Sequence, residues 1–303
     1  MYIVKYFLRT AFTLLFFFSC IKKEQSMPMP ILAQDAPFLI GESVGILDTK
    51  EISEASGLVA SHSNPQALWT HNDSGDKNRI FLIGDNAKLL GTFTIAEAEH
   101  RDWEDITIGN DNGVSYLYVG DIGDNLAAND LNIIYRFPEP NVQNLSAIPI
   151  HQTITNVEKI RFRYPDGKRD AECMMFDPIS KDIIIISKRE DNVGIYVATY
   201  PQSLTEIITL QKMGELPFSK VVAGNISTNG REVLIKSYDK IYYWKREGSE
   251  NISELLKKPF ANLPYKQEPQ GESIAWKSDS SGFYTLSENP LNIPLDLFFY
   301  RRR

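Results

Sequence analysis

The stretch Arg101–Gly109, RDWEDITIG, opens in charge and closes as strand. Asp102, Glu104 and Asp105 surround Trp103, and the apolar ITI beyond them reads as half of a β-strand. Acids set at the mouth of a strand either decorate a polar turn or converge on something. The rest of the chain bears on which, because the stretch recurs. SEASGLVAS begins at Ser53, RDAECMMFD at Arg169, VVAGNISTN at Val221 and PQGESIAWK at Pro269. Aligned on Ala55, Trp103, Ala171, Ala223 and Gly271, the next position holds Ser56, Glu104, Glu172, Gly224 and Glu272. Two residues further on it is always apolar: Leu58, Ile106, Met174, Ile226 and Ile274, at spacings of 48, 68, 52 and 48.

The segment after each copy repeats as well. A second apolar run ends in polar residues: ALWTHNDSGD, YLYVGDIGDN, DIIIISKRE, EVLIKSYDK and GFYTLSEN. A third run comes next: RIFLIG, NIIYRF, VGIYVA, KIYYWK and LDLFFY. Short β-rich runs separated by Gly, Asn and Asp are strand-and-turn signals. A period near 50 residues with three or four strands per unit is the signature of a β-propeller. The count predicts five blades, or six if the longest spacing, around Glu139 to Ile150, hides a degenerate one. The last copy stops after its third strand, and GESVGILDTK, from Gly41, is strand-like and unassigned. It is expected to close the ring as the outer strand of the final blade, which leaves no long free sheet edge. The only helical stretch is short, at SELLKKPF.

With 303 residues and 43 % hydrophobic content the chain can bury a large core. A net charge of −7 argues against nucleic acid as a partner. Lys5 and Arg9 precede an apolar run from Ala11 to Phe18, then Ser19-Cys20, the pattern of a secretory signal too short to span a bilayer. The placement of Cys20 resembles a bacterial lipoprotein signal, which implies cleavage after residue 19 and lipidation of Cys20. The expected organisation is therefore a signal peptide at 1–19, a Pro-containing tether at 20–37 and one propeller domain at 38–303. The protein would be held on a membrane of the cell envelope by its lipid. Cys173, the other cysteine, lies in the apolar run CMMF and reads as a buried small hydrophobe.

In a propeller the first strand of each blade lines the central channel, so equivalent positions form a ring. Glu104, Glu172 and Glu272 share one position, and the second strands end in Asp73, Asp121, Asp124, Glu190, Asp239 and Glu288. Converging carboxylates need compensation. Three readings stay open: Ca²⁺, which takes six to eight oxygen ligands; the nearby Arg101, Arg169, Lys188 and Arg189; or direct contact with substrate. GESVG at Gly41 matches the G-x-S-x-G pattern but lacks the strand, turn and helix that the motif requires. HNDSGD and GDIGDN have the composition of calcium loops without the EF-hand spacing and read as turns. His71 reads as a hydrogen-bonding residue, and Trp69 and Trp103 as blade core. No P-loop, Rossmann fingerprint or zinc pattern is present.

The ordered series WTHNDSGD, RDWEDI, YVGDIGDN, YPDGKRDAE, SKRE, QGESI and YTLSE resembles a family of exported bacterial β-propeller proteins of unassigned function. More distantly, SGL, DAE and GES at blade starts resemble the propeller phytases and phytase-like proteins. That resemblance implies acidic residues binding Ca²⁺ at one end of the channel and basic residues holding phosphate. It makes Glu104, Asp121, Glu172 and Glu272 the metal-ligand candidates. Asp73, Arg79, Arg101 and Lys188 become ligand-binding candidates. Three functions are open: a binding propeller that holds a small ligand or an envelope protein at the acidic channel mouth; a Ca²⁺-dependent hydrolase of phosphate esters or lactones; or a structural partner in an envelope complex. The lack of a nucleophile favours the first.

Overall fold

A computed structural model describes residues 37–142 and 149–303. The signal peptide, Cys20 and the tether up to residue 36 lie outside the described residues. Five sheets, antiparallel apart from one added outer strand in each of two, make five blades. Blade one holds β2 (Ala55–Ala60), β3 (Ala67–Asn72), β4 (Arg79–Gly84) and β5 (Leu89–Ile95). Blade two holds β6 (Trp103–Asp111), β7 (Val114–Asp121), β8 (Asn132–Pro138) and β10 (Glu158–Arg163). Blade three holds β11 (Ala171–Phe176), β12 (Ile183–Ser187), β13 (Val193–Ala198) and β15 (Gln211–Leu216). Blade four holds β16 (Val221–Ile226), β17 (Glu232–Ser237), β18 (Ile241–Lys245) and β19 (Ala261–Leu263). Blade five holds β20 (Gln270–Trp276), β21 (Gly282–Glu288) and β22 (Asp296–Arg301), closed on its outside by β1 (Glu42–Ile46). The short helix α1 spans Ile252–Leu255, with Asn251 and Glu254 forming a capping box at its start.

The five repeated segments are the innermost strands, and β2, β6, β11, β16 and β20 each lie against the next until the ring closes on β2. The long spacing hides no sixth blade. After β8 the chain crosses back to blade one, where β9 (Ile150–Ile154) pairs parallel to β5 as a fifth strand. It then returns to blade two as β10. A second strap does the same one blade on: β14 (Ile208–Thr209) pairs parallel to β10 before β15 completes blade three.

Burial explains the sequence pattern. Inner strands are covered on both faces by neighbouring blades, so β11, β12, β13, β16 and β17 read as nearly continuous apolar runs and are buried throughout. Outer strands β1, β9 and β15 are largely exposed and polar. The core is thus five layers between blades, each with large side chains: Trp69, Trp103 and Tyr135 between blades one and two; Phe162, Phe176 and Tyr196 between two and three; Trp244 between three and four; Trp276 and Phe283 between four and five; Phe81 and Tyr284 between five and one. Each such burial contributes about 1.5–3 kcal/mol. Asn112-Gly113, both at positive φ, makes the two-residue turn between β6 and β7 that this dipeptide favours. Ser43 of the GESVG match sits exposed on edge strand β1, its hydroxyl bonded to Asp296, with no helix beside it.

Candidate functional site

Every innermost strand carries a β-bulge near its start. The extra residue that faces no partner is Gly57, Glu104, Glu172, Val222 or Glu272 in blades one to five. A bulge re-aims the side chain it carries, and here it turns three glutamates to the channel mouth. The sequence alignment holds for blades two, three and five. In blade four it is two residues out of register: Val222 fills the glutamate position, and Gly224 lies further down the strand. In blade one the bulge is Gly57 at φ +70°, where a Cβ would lie 2.7 Å from the backbone nitrogen of Ile106.

A second tier comes from the ends of the second strands. Asp121, Ser187, Ser237 and Ser287 pair with the residue just before the bulge, and Asn72 with Ala55, two before it. In three blades this small polar side chain accepts the backbone N–H that precedes the inner strand: Glu54 to Asn72 at 3.1 Å, Asp102 to Asp121 at 3.0 Å, Gln270 to Ser287 at 2.9 Å. The next residue is Asp73, Ile122, Lys188, Tyr238 or Glu288. All but the buried Ile122 meet the mouth.

Six carboxylates gather there in overlapping groups, with one oxygen of each residue within 4.8 Å of the others in its group: Glu104, Glu172 and Glu272; Asp73, Glu272 and Glu288; Asp73, Asp102 and Glu104. Of the six, only Glu172 has an ion-pair partner among the described residues, the Lys188 ammonium. Glu272 accepts from the Tyr238 hydroxyl at 2.7 Å and from Gln270 at 3.2 Å. Gln270 also bonds Glu288. Glu104 Oε2, Glu172 Oε2 and Glu288 Oε1 are buried and have no hydrogen-bond partner among the described residues. The three residues are 1 %, 4 % and 5 % exposed.

Such crowding holds protons. Burial first, then the Glu172 charge, pushes Glu104 well above the usual carboxylate range. Burial, then Asp73, raises Asp102 to about 6, and burial, then Glu272, raises Glu288 to about 10. Burial works against the Lys188 ammonium, but Glu172 overrides it and holds that lysine charged. Lys188 also stands over the Tyr238 ring, 5.2 Å from its centroid. Beside the acids opens a cavity of 580 Å³, lined by Asp73, Glu172, Glu272, Lys188, Arg189 and Tyr238 among others. A smaller cavity of 240 Å³ sits where the innermost strands end, lined by Val59, Ile108, Phe176, Ile226 and Trp276.

The DWED stretch therefore splits by alternation. Asp102 and Glu104 face the mouth, while Trp103 is buried between blades and Asp105 turns into the fold. Asp105 accepts the N–H of Met174 at 2.8 Å and of Ile106 at 2.8 Å, and its carboxyl is also bonded by the Gly224 N–H. One carboxylate thus ties three inner strands together. Gly123 of GDIGDN is a glycine for space, since a Cβ there would lie 2.3 Å from Glu104 Oε1 and 2.5 Å from the Asp102 carboxylate.

Other expected site residues lie elsewhere. Asp121 belongs to the backbone-capping tier and outside the clustered acids; Arg101 approaches it at 3.4 Å and spends its remaining donors on Leu131, Asn132 and the Asp121 carbonyl. Arg79 pairs with Asp76 and Glu51. Arg169 is held by Asp166 and Glu190 and stacks on Tyr196. Asp124 caps the backbone of Ala128 and Asn129 within its loop. His71 is fully buried, its Nδ1 bonded to the Asn72 carbonyl at 2.8 Å. The repeat alignment carries an acid at this position in three blades, Glu54, Asp102 and Asp170, but of the three only Asp102 joins the clustered groups; Asp170 is paired with Arg189, and Gly123 makes room for Asp102.

No protein-family model matches the sequence, and no curated protein matches it. Among solved structures, the chain is similar to a luciferin-regenerating enzyme, at 11 % identity over 83 % of this chain and 92 % of that one, with a TM-score of 0.43. It is also similar to the hydrazine synthase of Kuenenia stuttgartiensis, at 9 % identity over 78 % and 68 %, TM-score 0.40, and to the WD40 repeats of RRP9, at 12 % identity over 81 % and 79 %, TM-score 0.41. Likeness at this level carries nothing about function; the fold rests on the strand pairing.

Proposed function

We propose that the protein is a binding propeller whose acidic mouth takes up one divalent cation, Ca²⁺, and through it holds an anionic ligand or partner in the adjoining cavity. The observation that carries this is the set of buried, unbonded carboxylate oxygens on Glu104, Glu172 and Glu288 beside further acids. Unbonded buried carboxylates are costly, and a cation satisfies several at once. An all-carboxylate set suits calcium, which takes six to eight oxygen ligands in flexible geometry, whereas Mg²⁺ keeps several waters and is held by one or two carboxylates. Glu104, Glu172 and Glu272 would hold the ion, with Asp73 and Asp102 flanking it. The signal pattern ending at Cys20 supports an exported, lipid-anchored protein as the bearer of this activity.

A second reading, a Ca²⁺-dependent hydrolase of phosphate esters or lactones, is favoured by Asp102. A carboxyl raised to about 6 exchanges a proton near neutral pH. A bound cation would supply Lewis-acid activation of water. Lys188 and Arg189, at one wall of the cavity, would orient an anionic substrate.

The test is a thermal melt of purified protein in chelator and in excess Ca²⁺ or Mg²⁺, with metal content measured alongside. Ca²⁺ should raise the melting temperature by mass action on the folded state. Glu104→Gln with Glu172→Gln should remove that rise while the chelated protein stays folded. A wild-type protein that neither retains nor responds to Ca²⁺ would end this reading.

A further inference from the structure

We infer that Lys188 is a resident counter-ion which the divalent cation must displace, so that lysine and metal occupy the acidic mouth in turn. The inference rests on the cation reading above and adds how the site is regulated. Three features carry it. Lys188 is the only cation among the described residues that pairs with any of the six clustered acids. It does so at Glu172 Oε1, within the group Glu104, Glu172 and Glu272 that a cation would need. And it compensates that group incompletely, since the second oxygen of Glu172 and Oε2 of Glu104 stay buried and unbonded.

A single ammonium offers three donors and one charge. A divalent ion offers twice the charge and six to eight coordination positions. Glu172 Oε2 is open to the ion, but an ion held there would stand a few ångströms from the ammonium on Oε1, where two cations repel, so binding the one drives off the other. Lys188 has somewhere to go. It lines the cavity beside the acids, with the Tyr238 ring beneath its ammonium, and a small turn of the side chain exchanges Glu172 for that ring and water. The lysine thus keeps the metal-free mouth folded, and its removal from Glu172 is part of the cost of binding metal.

The experiment is calorimetric titration of full-length protein with CaCl₂ after chelation, for wild type, Lys188→Met and Lys220→Met. Lys220 lines the same cavity without pairing any of the six acids, so its loss reports the general effect of removing a nearby positive charge. Lys188→Met should bind Ca²⁺ at least tenfold more tightly than wild type and melt lower in chelator, while Lys220→Met should change affinity less than threefold. Equal gains for the two variants, or weaker binding by Lys188→Met, would overturn the displacement while leaving the cation site standing. No Ca²⁺ binding by wild type or Lys188→Met would remove the site itself and the inference with it. Should Lys188→Met fail to fold in chelator by circular dichroism, Lys188→Gln is titrated in its place under the same criteria.

Discussion

Asp105 Oδ2 accepts the backbone N–H of Met174 at 2.8 Å, a hydrogen bond from the second blade to the third. The same carboxyl takes the N–H of Ile106 and is bonded by that of Gly224 in the fourth blade. It is 1 % exposed, and burial pushes it well above the usual carboxylate range against the pull of those donors. Removing it leaves backbone donors buried and unbonded. Asp105→Ala should therefore lose about 3 kcal/mol or more in urea unfolding. Asp105→Asn, which keeps an acceptor oxygen, should lose less. An alanine variant within about 1 kcal/mol of wild type would show that the ring does not need this tie.

Gly123→Ala addresses the mouth without replacing an acid. The added methyl meets Glu104 Oε1 and the Asp102 carboxylate, so both must move off the group they form with Asp73. The variant should fold, since Gly123 lies at no left-handed φ, and should lose most of the Ca²⁺-dependent rise in melting temperature. A full calcium response in Gly123→Ala would place the ion away from Asp102 and Glu104.

His71 and the mouth acids oppose each other as pH falls. Burial lowers His71 from 6.5 to about 4, so the fold favours the neutral ring. Its stabilising contribution is complete above pH 6.5 and is lost as pH falls toward 4, by roughly 3 kcal/mol in all. Asp102 and Glu288 are raised, to about 6 and about 10, so their stabilising contribution is complete below their ordinary values and lost as pH rises through those raised ones. In chelator, Asp102→Asn should therefore be more stable than wild type at pH 8 and lose that advantage by pH 4. The His71 ring should show no titration by proton NMR above pH 5; a transition near 6.5 would contradict its burial as a neutral ring.

Cys20→Ala tests the anchor. The variant should move from the membrane fraction to the soluble fraction of the cell envelope. Unchanged membrane retention would remove the lipid from the account.

The repeat period carries the fold in the sequence because each blade buries the same apolar faces against its neighbours. Glu104, Glu172 and Glu272 are legible for the same reason: a glutamate recurs at one repeat position in three inner strands. Blade four misleads because Val222 sits on the bulge, so an apolar residue there pulls the alignment two places along. Asp121 misleads differently. It stands one residue before the tier of Asp73, Lys188 and Glu288, and a one-residue step along a strand reverses the direction of the side chain. Arg101 and Arg169 are near the acids in sequence but on the outward step of that alternation, so only Lys188 reaches the ring.

The closing strand β1 gives the molecule an order of assembly. Glu42–Ile46 emerges early in synthesis, yet its partner β22 ends at Arg301. Phe38 is likewise buried against Trp276 and Phe283 of that late blade. The earliest strand must wait for nearly the whole polypeptide, and pairing between such distant segments is slow. A nascent chain stopped before residue 296 therefore has no seam to close.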